Sequence, residues 1–464
     1  MNNYSHIFMI GIGGIGMSAL ARYFSWREKT VAGYDRSPSR LTGQLQTEGI
    51  GVCFSDEAIF DDVAFTDPQR TLVIFTPAVS NDNKLLQYFR SHGFNLMKRA
   101  EVLGQITAAY KTIAVAGTHG KTSVSCMAAH LLHQSAVASM AILGGIPANY
   151  ARNFIFNENA EYAVTEADEY DKSFLKLHPL HAVITATDAD HLDIYGTKEM
   201  LHQSFAEFAQ RVPAEGSLLL KINSGIEISN LEAKQIFTYS LKDSRADIYA
   251  QNIRITREAI SFDMMMPGRV INNLEMQALG LFNVENALAA VHLAIQAGLS
   301  EDEIRKGLRT FSGVYRRYQK HLVSGQCVYI DDYAHHPEEI NALVEAVKFA
   351  YPGRKITGVF QPHLYSRTRD FADEFAKSLS AFDEVILLDI YPAREKPIEG
   401  VSSDMIFNKI DHQNKTLTNK ERLIELLKNK NPEILLTIGA GDIDSMVAPI
   451  RHFLEEKYLK PKSS

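Results

Sequence analysis

Gly117-Thr118-His119-Gly120-Lys121-Thr122 joins a strand-like run, Thr112-Ile113-Ala114-Val115-Ala116, to an apolar helical run from Val124 to Leu132. Backbone N–H groups in such a turn can wrap phosphate oxygens. Lys121 can neutralise charge developing on β and γ oxygens, and the Thr122 hydroxyl can ligate Mg²⁺. The pattern is a shortened G-x-x-x-x-G-K-(S/T), because Val115 stands where the longer form has its first glycine. A bare glycine turn carrying a surface lysine would not account for Thr122 between a strand and a helix. Further on, Glu166, Asp168, Glu169 and Asp171 crowd one strand end. Such density is self-repelling unless a cation or water offsets it, so a Mg²⁺ site and a solvated acidic loop are the two readings. The strand ending at Thr187 leads to Asp188-Ala189-Asp190-His191-Leu192-Asp193, which sets His191 among carboxylates. Ligands of parallel sheets gather at the carboxyl ends of strands, where all three segments lie.

A second glycine loop opens the chain. Gly11, Gly13, Gly14 and Gly16 follow a strand-like run in the pattern G-x-G-x-x-G, and Asp35 closes the next strand. Glycines let the backbone approach a diphosphate, and a helix N-terminus supplies donors and a favourable dipole. NAD and a UDP-sugar both satisfy this loop. A nicotinamide-dependent oxidoreductase with Asp35 on a ribose is therefore one reading of the chain, but it leaves the loop at Gly117 unexplained. A regulator that binds ATP without joining anything is another.

The elements that must hold these residues follow an α/β rhythm. Apolar runs at Ile7–Ile12 and Leu72–Phe75 alternate with helical stretches, and a second such unit starts at Lys111, with strands at Tyr162–Thr165 and Ala182–Thr185. From Asp247 to Gly280 polar and apolar residues alternate, which predicts an antiparallel insertion or sheet edge. A third unit starts near Ser312, with strands at Val328–Ile330, Thr357–Phe360, Val385–Leu388 and Ile434–Ile438. The 464 residues suit about three domains at roughly 150 residues each. Expected boundaries near 107 and 313 give domains of 1–107, 108–313 and 314–464.

Composition narrows the class. A net charge of −7, from 48 basic and 55 acidic side chains, leaves no basic run for nucleic acid, so phosphate recognition must be local. Nothing is apolar for long enough to span a membrane, and the N-terminus lacks the pattern of a secretory signal. A cytoplasmic location is the expectation. Cys53, Cys126 and Cys327 are too few and too scattered for a disulfide framework or a zinc site.

In order and spacing, the segments GTHGKT, EADEYD and ADHLD resemble the central ATPase domain of the Mur ligases. Further resemblances cover almost the whole chain. Gly280-Leu281-Phe282-Asn283-Val284-Glu285-Asn286 is similar to the family's adenine-contacting helix, and Gly313-Val314-Tyr315-Arg316-Arg317-Tyr318 to the start of its third domain. Asp331-Asp332-Tyr333-Ala334-His335-His336-Pro337 resembles the D-D-Y-(A/G)-H-H-P signature, and Gln361 to Arg369 the substrate-facing loop after it. The implied fold is α/β in three domains. A Rossmann-like domain takes the UDP-sugar, a central P-loop domain with a mixed sheet takes ATP, and a C-terminal Rossmann-like domain closes on ATP and the amino acid.

The family's ligation proceeds through an acyl phosphate, and the resemblance distributes the roles. Lys121 and Arg317 neutralise phosphate charge. Two Mg²⁺ ions are implied, one on Thr122 and Glu166 and one on His191. Gly117, Thr118, His119, Gly120, Asn283, Asn286 and Asp332 hold the rest of ATP. Gly11, Gly13, Gly14, Gly16 and Asp35 face the nucleotide sugar, while Tyr333, His335, His363 and Arg367 face alanine or the forming acyl phosphate. The opening glycine loop, Ser80 to Asn83, Lys98 to Glu101 and the paired His335-His336 resemble the branch that adds L-alanine to UDP-N-acetylmuramate. The murein-tripeptide-recycling branch, which usually carries an extra segment after EADEYD, is the alternative. Folylpolyglutamate synthase is more distant. Later-acting branches use a carbamylated lysine after the His motif, and no lysine occurs between Lys198 and Lys221. Leu364, Phe282 and Gln319 depart from the branch's usual arginine, histidine and acidic residue. A monomer or homodimer is expected.

Overall fold

Short β-branched runs punctuated by glycine build three sheets in this computed structural model, which describes residues 3–56, 63–188, 195–229, 231–256, 259–277, 280–393 and 395–459. In the first sheet, β1 (His6–Ile10), β2 (Thr30–Tyr34), β3 (Gly51–Cys53), β4 (Thr71–Phe75) and β5 (Asn95–Lys98) lie in the order β3-β2-β1-β4-β5. Every pair is parallel. Ile7, Met9 and Ile10 have no exposed surface, as the central strand of a sheet covered on both faces requires. Gly11, at φ +87°, turns the chain, so the strand expected over Ile7–Ile12 stops at Ile10 and helix α1 (Ile15–Trp26) follows the turn. Helix α2 (Arg99–Thr107) leads out of β5.

The second sheet starts at Lys111, where the sequence places it. It comprises β6 (Lys111–Ala116), β7 (Ser139–Ile142), β8 (Phe154–Phe156), β9 (Tyr162–Ala167), β10 (His181–Ile184), β11 (Ser217–Lys221), β12 (Gln235–Ser240), β13 (Ile248–Ile255), β14 (Ile260–Met266) and β15 (Arg269–Met276). Their order is β15-β14-β13-β12-β11-β10-β6-β9-β7-β8. From β7 through β12 the pairs are parallel, and β8 closes one edge antiparallel to β7. The alternating segment from Asp247 onward forms the other edge, as β13, β14 and β15. Strand β6 lies between β9 and β10, and helix α3 (Lys121–His133) leaves it through the glycine turn. Helices α4 (Leu281–Gln296) and α5 (Glu301–Thr310) complete this part of the chain.

In the third sheet, β16 (Gln319–Val323), β17 (Val328–Asp332), β18 (Ile356–Phe360), β19 (Glu384–Leu387), β20 (Lys415–Leu417) and β21 (Ile434–Ile438) run in the order β16-β17-β21-β18-β19-β20. All are parallel except β16. Helix α6 (Pro337–Ala350) follows β17 and the short α7 (Tyr365–Asp370) follows β18.

The chain divides into two compact units. One holds Met1–Arg254, Ser261–Gln277 and Asn283–Ser312, and the other Ile255–Ile260, Ala278–Phe282 and Gly313–Ser464. In the first, a single apolar cluster runs from Ile7 and Leu20 through Phe154 to Ile184 and Phe208, so the first two sheets share one core. Tyr329, Val359, Leu435 and Leu454 anchor the core of the second unit. No described helix is long and apolar enough to cross a membrane.

Candidate active site

The loop after β6 is shaped by the residues that follow β10. Gly117 has φ +127°, and a Cβ there would collide with Thr185 Oγ1 and stand 2.7 Å from the Ala186 nitrogen. Only glycine fits. Thr185 Oγ1 donates to the Ala116 carbonyl at 3.0 Å and to the carbonyl of His119, while Thr118 N donates to the Ala186 carbonyl at 3.0 Å. Gly120, at φ +82°, forms the N-cap of α3, and a Cβ there would meet Asn286 Oδ1 at 2.9 Å. Asn286 Nδ2 lies 3.5 Å from Oδ1 of Asn283, itself 7% exposed, so both asparagines of α4 gather beside the loop.

Lys121 opens α3. Its Nζ donates to Glu169 Oε1 and Oε2 at 2.8 and 2.7 Å and to the Gly117 carbonyl at 2.6 Å. Glu169 is 1% exposed and Lys121 16%. Burial, the largest single influence, disfavours the ammonium, but Glu169, Asp168 and Glu166 together outweigh it and push the Lys121 pKa up. Tyr195 OH donates to the Glu169 carbonyl at 2.6 Å and steadies the backbone beneath the carboxylate.

The acidic strand end is largely neutralised from within. Arg99 Nη2 stands 3.4 Å from Asp168 Oδ2, Lys98 Nζ 3.1 Å from Asp171 Oδ2, and Lys121 holds Glu169. Glu166 takes neutral donors instead: Thr122 Oγ1 and Ser125 Oγ at 3.3 Å each, and Gly144 N at 3.1 Å. A Cβ on Gly144 would meet Glu166 Oε2 at 2.6 Å, so the strand end is walled tightly. A threonine hydroxyl beside a carboxylate is a set of hard oxygen donors, which suits Mg²⁺. Self-repulsion alone therefore does not argue for a metal here, whereas the Thr122–Glu166 pair does. His191, with Asp190 and Asp193, lies outside the described residues.

At the first glycine loop, Asp35 Oδ2 accepts from Gly13 N at 2.7 Å, and a Cβ on Gly13 would stand 2.8 Å from that oxygen. Gly14 caps α1 without a side-chain bond, and the first turn carries no acidic residue. Gly16 faces Arg99, whose Nη1 would lie 2.8 Å from a Cβ there.

The second unit gathers another set. Asp332, at the end of β17, is 7% exposed, and its oxygens accept from Tyr318 N at 2.6 Å and Ala334 N at 2.7 Å. Burial raises its pKa to about 6, against the lowering influence of Arg317. Asp331 points the other way, pairing with Arg316 Nε at 3.0 Å and Thr437 Oγ1 at 2.7 Å. Arg316 and Arg317 both lie over the Tyr333 ring, at 5.3 and 5.2 Å from its centroid. His335 Nδ1 is 3.1 Å from the Tyr333 carbonyl and 3.2 Å from Glu339 Oε2, and its ring meets that of His363 edge-on at 6.1 Å. His363 stacks on Tyr391, and Arg367, 9% exposed, sits in α7. Two of the departures have local roles. Gln319 Oε1 accepts from Arg316 N at 2.9 Å and holds that residue at φ +60°, and the Phe282 ring fills the space beside Gly280.

Glu169, Thr185 and Gly144 shape the site although the sequence assigns them no role of their own. Glu169 stood within the acidic run, which could have marked it. Nothing local marks the other two.

Three family models match in succession: "Mur ligase family, catalytic domain" over residues 6–111, "Mur ligase middle domain" over 115–294, and "Mur ligase, glutamate ligase domain" over 316–441. The chain is 47% identical to the UDP-N-acetylmuramate–L-alanine ligase of Parabacteroides distasonis, covering 99% of this chain and 100% of that one. It is 46% identical to the same-named ligase of Porphyromonas gingivalis, covering 97% and 99%. Among solved structures, the UDP-N-acetylmuramate-alanine ligase of Thermotoga maritima superposes with a TM-score of 0.80 at 27% identity, covering 97% of this chain and 99% of that one. A murein peptide ligase from Psychrobacter arcticus shares the fold, with a TM-score of 0.72 at 21% identity and coverage of 97% and 98%.

Proposed function

The chain belongs to the Mur ligase family, and on that premise we propose that it joins L-alanine to the carboxylate of UDP-N-acetylmuramate with ATP as the driving reagent. It is an acid–amino-acid ligase of peptidoglycan precursor synthesis. The observation that carries the chemistry is the meeting of Lys121 and Thr122 with Glu169 and Glu166 where β6 and β9 end. The names of the curated relatives supply the substrates. A hydride-transferring enzyme has no use for this second loop, so that reading is set aside.

A carboxylate resists attack by an amine because oxide is a prohibitive leaving group. Ligation is therefore split. The muramyl carboxylate oxygen attacks the γ-phosphorus, the bond to the ADP oxygen breaks, and an acyl phosphate forms. The deprotonated alanine amine then attacks the acyl carbon and phosphate leaves. Catalysis of this kind is chiefly positioning and charge neutralisation. The Gly117–Gly120 backbone cradles the phosphates, and Lys121, kept protonated by its acidic neighbours, faces the developing charge. Thr122 and Glu166 would hold Mg²⁺, which when bound lowers the repulsion between phosphate oxygens and an incoming carboxylate. His191 is proposed for a second ion. Asn283, Asn286 and Asp332 are proposed for adenosine, and Arg317 for the phosphates. Tyr333, His335, His363 and Arg367 are proposed for the amino acid and the acyl phosphate, and Gly11 to Gly16 with Asp35 for the nucleotide sugar.

The test is phosphate release from ATP and UDP-N-acetylmuramate, with amino acids added singly. L-Alanine should stimulate it far above the others, and Lys121→Ala should lower that rate at least about 10²-fold with the fold retained. Release that ignores alanine, or wild-type turnover by Lys121→Ala, would refute the assignment.

A further inference from the structure

Asn153 has no exposed surface. It precedes β8 in the second sheet, yet its side chain acts on α1. Nδ2 donates to the Ile15 carbonyl at 2.5 Å and to Ser18 Oγ at 3.0 Å, and Oδ1 accepts from Arg22 Nη1. Arg22, 5% exposed, is held by Glu48 through Nε–Oε2 at 2.7 Å and Nη2–Oε1 at 3.0 Å. Ser18 Oγ also donates to the Ile15 carbonyl at 3.0 Å. Both amide donors and the amide acceptor are thus engaged, and a buried amide satisfied in this way specifies one arrangement.

The place of attachment gives the network its meaning. Ile15 is the first residue of α1 and lies within the glycine loop, between Gly14 and Gly16, and it is tied to a residue 138 positions away beside the sheet that carries the ATP loop. Apolar contacts beside it, Tyr23 with Phe154 and Trp26 with Phe156, fix the two faces together but tolerate sliding. Arg99 to Asp168 at 3.4 Å and Lys98 to Asp171 at 3.1 Å also join the two parts, but both link partly exposed groups and constrain little. Register therefore falls to the amide.

We infer that Asn153 is a positioning residue for ligation: it sets the end of α1, which presents the nucleotide sugar, against the sheet that presents ATP. This rests on the function proposed above. Each sheet binds its own ligand, and Asn153 governs their mutual placement. Reacting atoms must come within about 3–3.5 Å, and an error of about 1 Å can cost on the order of 10²-fold in rate.

Asn153→Leu keeps the size and removes the polar ties, and Ser18→Ala removes one of them. Calorimetric titration with UDP-N-acetylmuramate and, separately, with ATP and Mg²⁺ should show one site per folded chain and affinities within about twofold of the unsubstituted protein. At saturation with all substrates, kcat should fall about tenfold or more in Asn153→Leu and a few-fold in Ser18→Ala. A kcat unchanged beside full binding overturns the inference. So does weakened nucleotide-sugar binding with kcat preserved, since Asn153 would then support the loop alone. Should Asn153→Leu fail to fold, Ser18→Ala decides by the same criteria. An unsubstituted protein that does not ligate alanine would instead sink the reaction assignment.

Discussion

Asp332 combines burial with two backbone N–H donors, from Tyr318 and Ala334, and its pKa of about 6 shows that burial prevails over those bonds and over Arg317. Each oxygen retains a lone pair, so the ionised group can still accept from a ribose hydroxyl. Protonation turns one acceptor into a donor facing an N–H. Activity should therefore hold above the raised pKa and decline as pH falls through about 6, appearing as an acid limb in kcat/KM for ATP. The residual activity of Asp332→Asn should lack that limb, and its persistence there would assign it to another group. The neighbouring Asp331 cannot serve, because Arg316 and Thr437 already hold it.

At the scale of elements, strand ends and glycine turns were legible because their signals are local: a β-branched run, a glycine of positive φ, then a helix. The strand ends bearing Gly117 and Glu166 lie where the residue pattern puts them. What pairs with what was not legible, since Lys121 meets Glu169 across 48 positions and no spacing rule spans that distance. Nor does residue type announce a strained backbone. Leu364, the departure at the start of α7, lies at φ 71° and ψ 137°, with only 9% of its surface exposed. Its nitrogen donates to the Tyr391 carbonyl at 3.0 Å, and Tyr391 N to the Pro362 carbonyl at 2.8 Å, so two segments hold it there. Such a conformation costs about 1–3 kcal/mol for a residue with a Cβ, while removing a buried leucine side chain costs about 2–5 kcal/mol. Leu364→Ala loses the packing and keeps the strain, whereas Leu364→Gly loses both. Thermal unfolding should therefore find the glycine variant more stable than the alanine variant, the reverse of the usual order. An alanine variant as stable as the glycine one would show that the backbone there is relaxed.

Taken whole, the molecule stores an acid sensitivity in three buried histidines of its first unit. His130 bridges Tyr150 and Thr310 at 2.7 and 2.9 Å, and His292 meets Ser217 at 3.0 Å near His181. Burial, the main cause in each, lowers the pKa of His130 and His181 from 6.5 to about 4 and that of His292 to about 3. The unfolded chain binds these protons more readily, so their contribution to stability is complete above about pH 6.5 and is lost as pH falls toward 4. Asp332 has the opposite sign, adding stability on acidification, but it is one group against three. The depressed carboxylates Asp243 and Glu303, at about 2, lose their contribution only in stronger acid. Melting temperature should drop steadily from pH 6.5 to 4.5, less steeply in His292→Asn. A flat profile would mean the histidines titrate normally. None of this was legible in the sequence, where a histidine on a helix face reads the same whether it is wet or dry.

The ion pair between Lys121 and Glu169 makes nucleotide entry an exchange. The loop already holds an anion, its own, so on the proposed assignment ATP would compete with Glu169 for Lys121, and measured affinity would be the difference between two attractions. Leaving that carboxylate uncompensated in its buried setting would cost about 3–5 kcal/mol. A divalent ion arriving with the nucleotide would restore the balance of charge. On the proposed assignment nucleotide and metal would therefore bind as one event, each a poor ligand without the other, and the free protein would be guarded against stray phosphate by the counter-ion it carries.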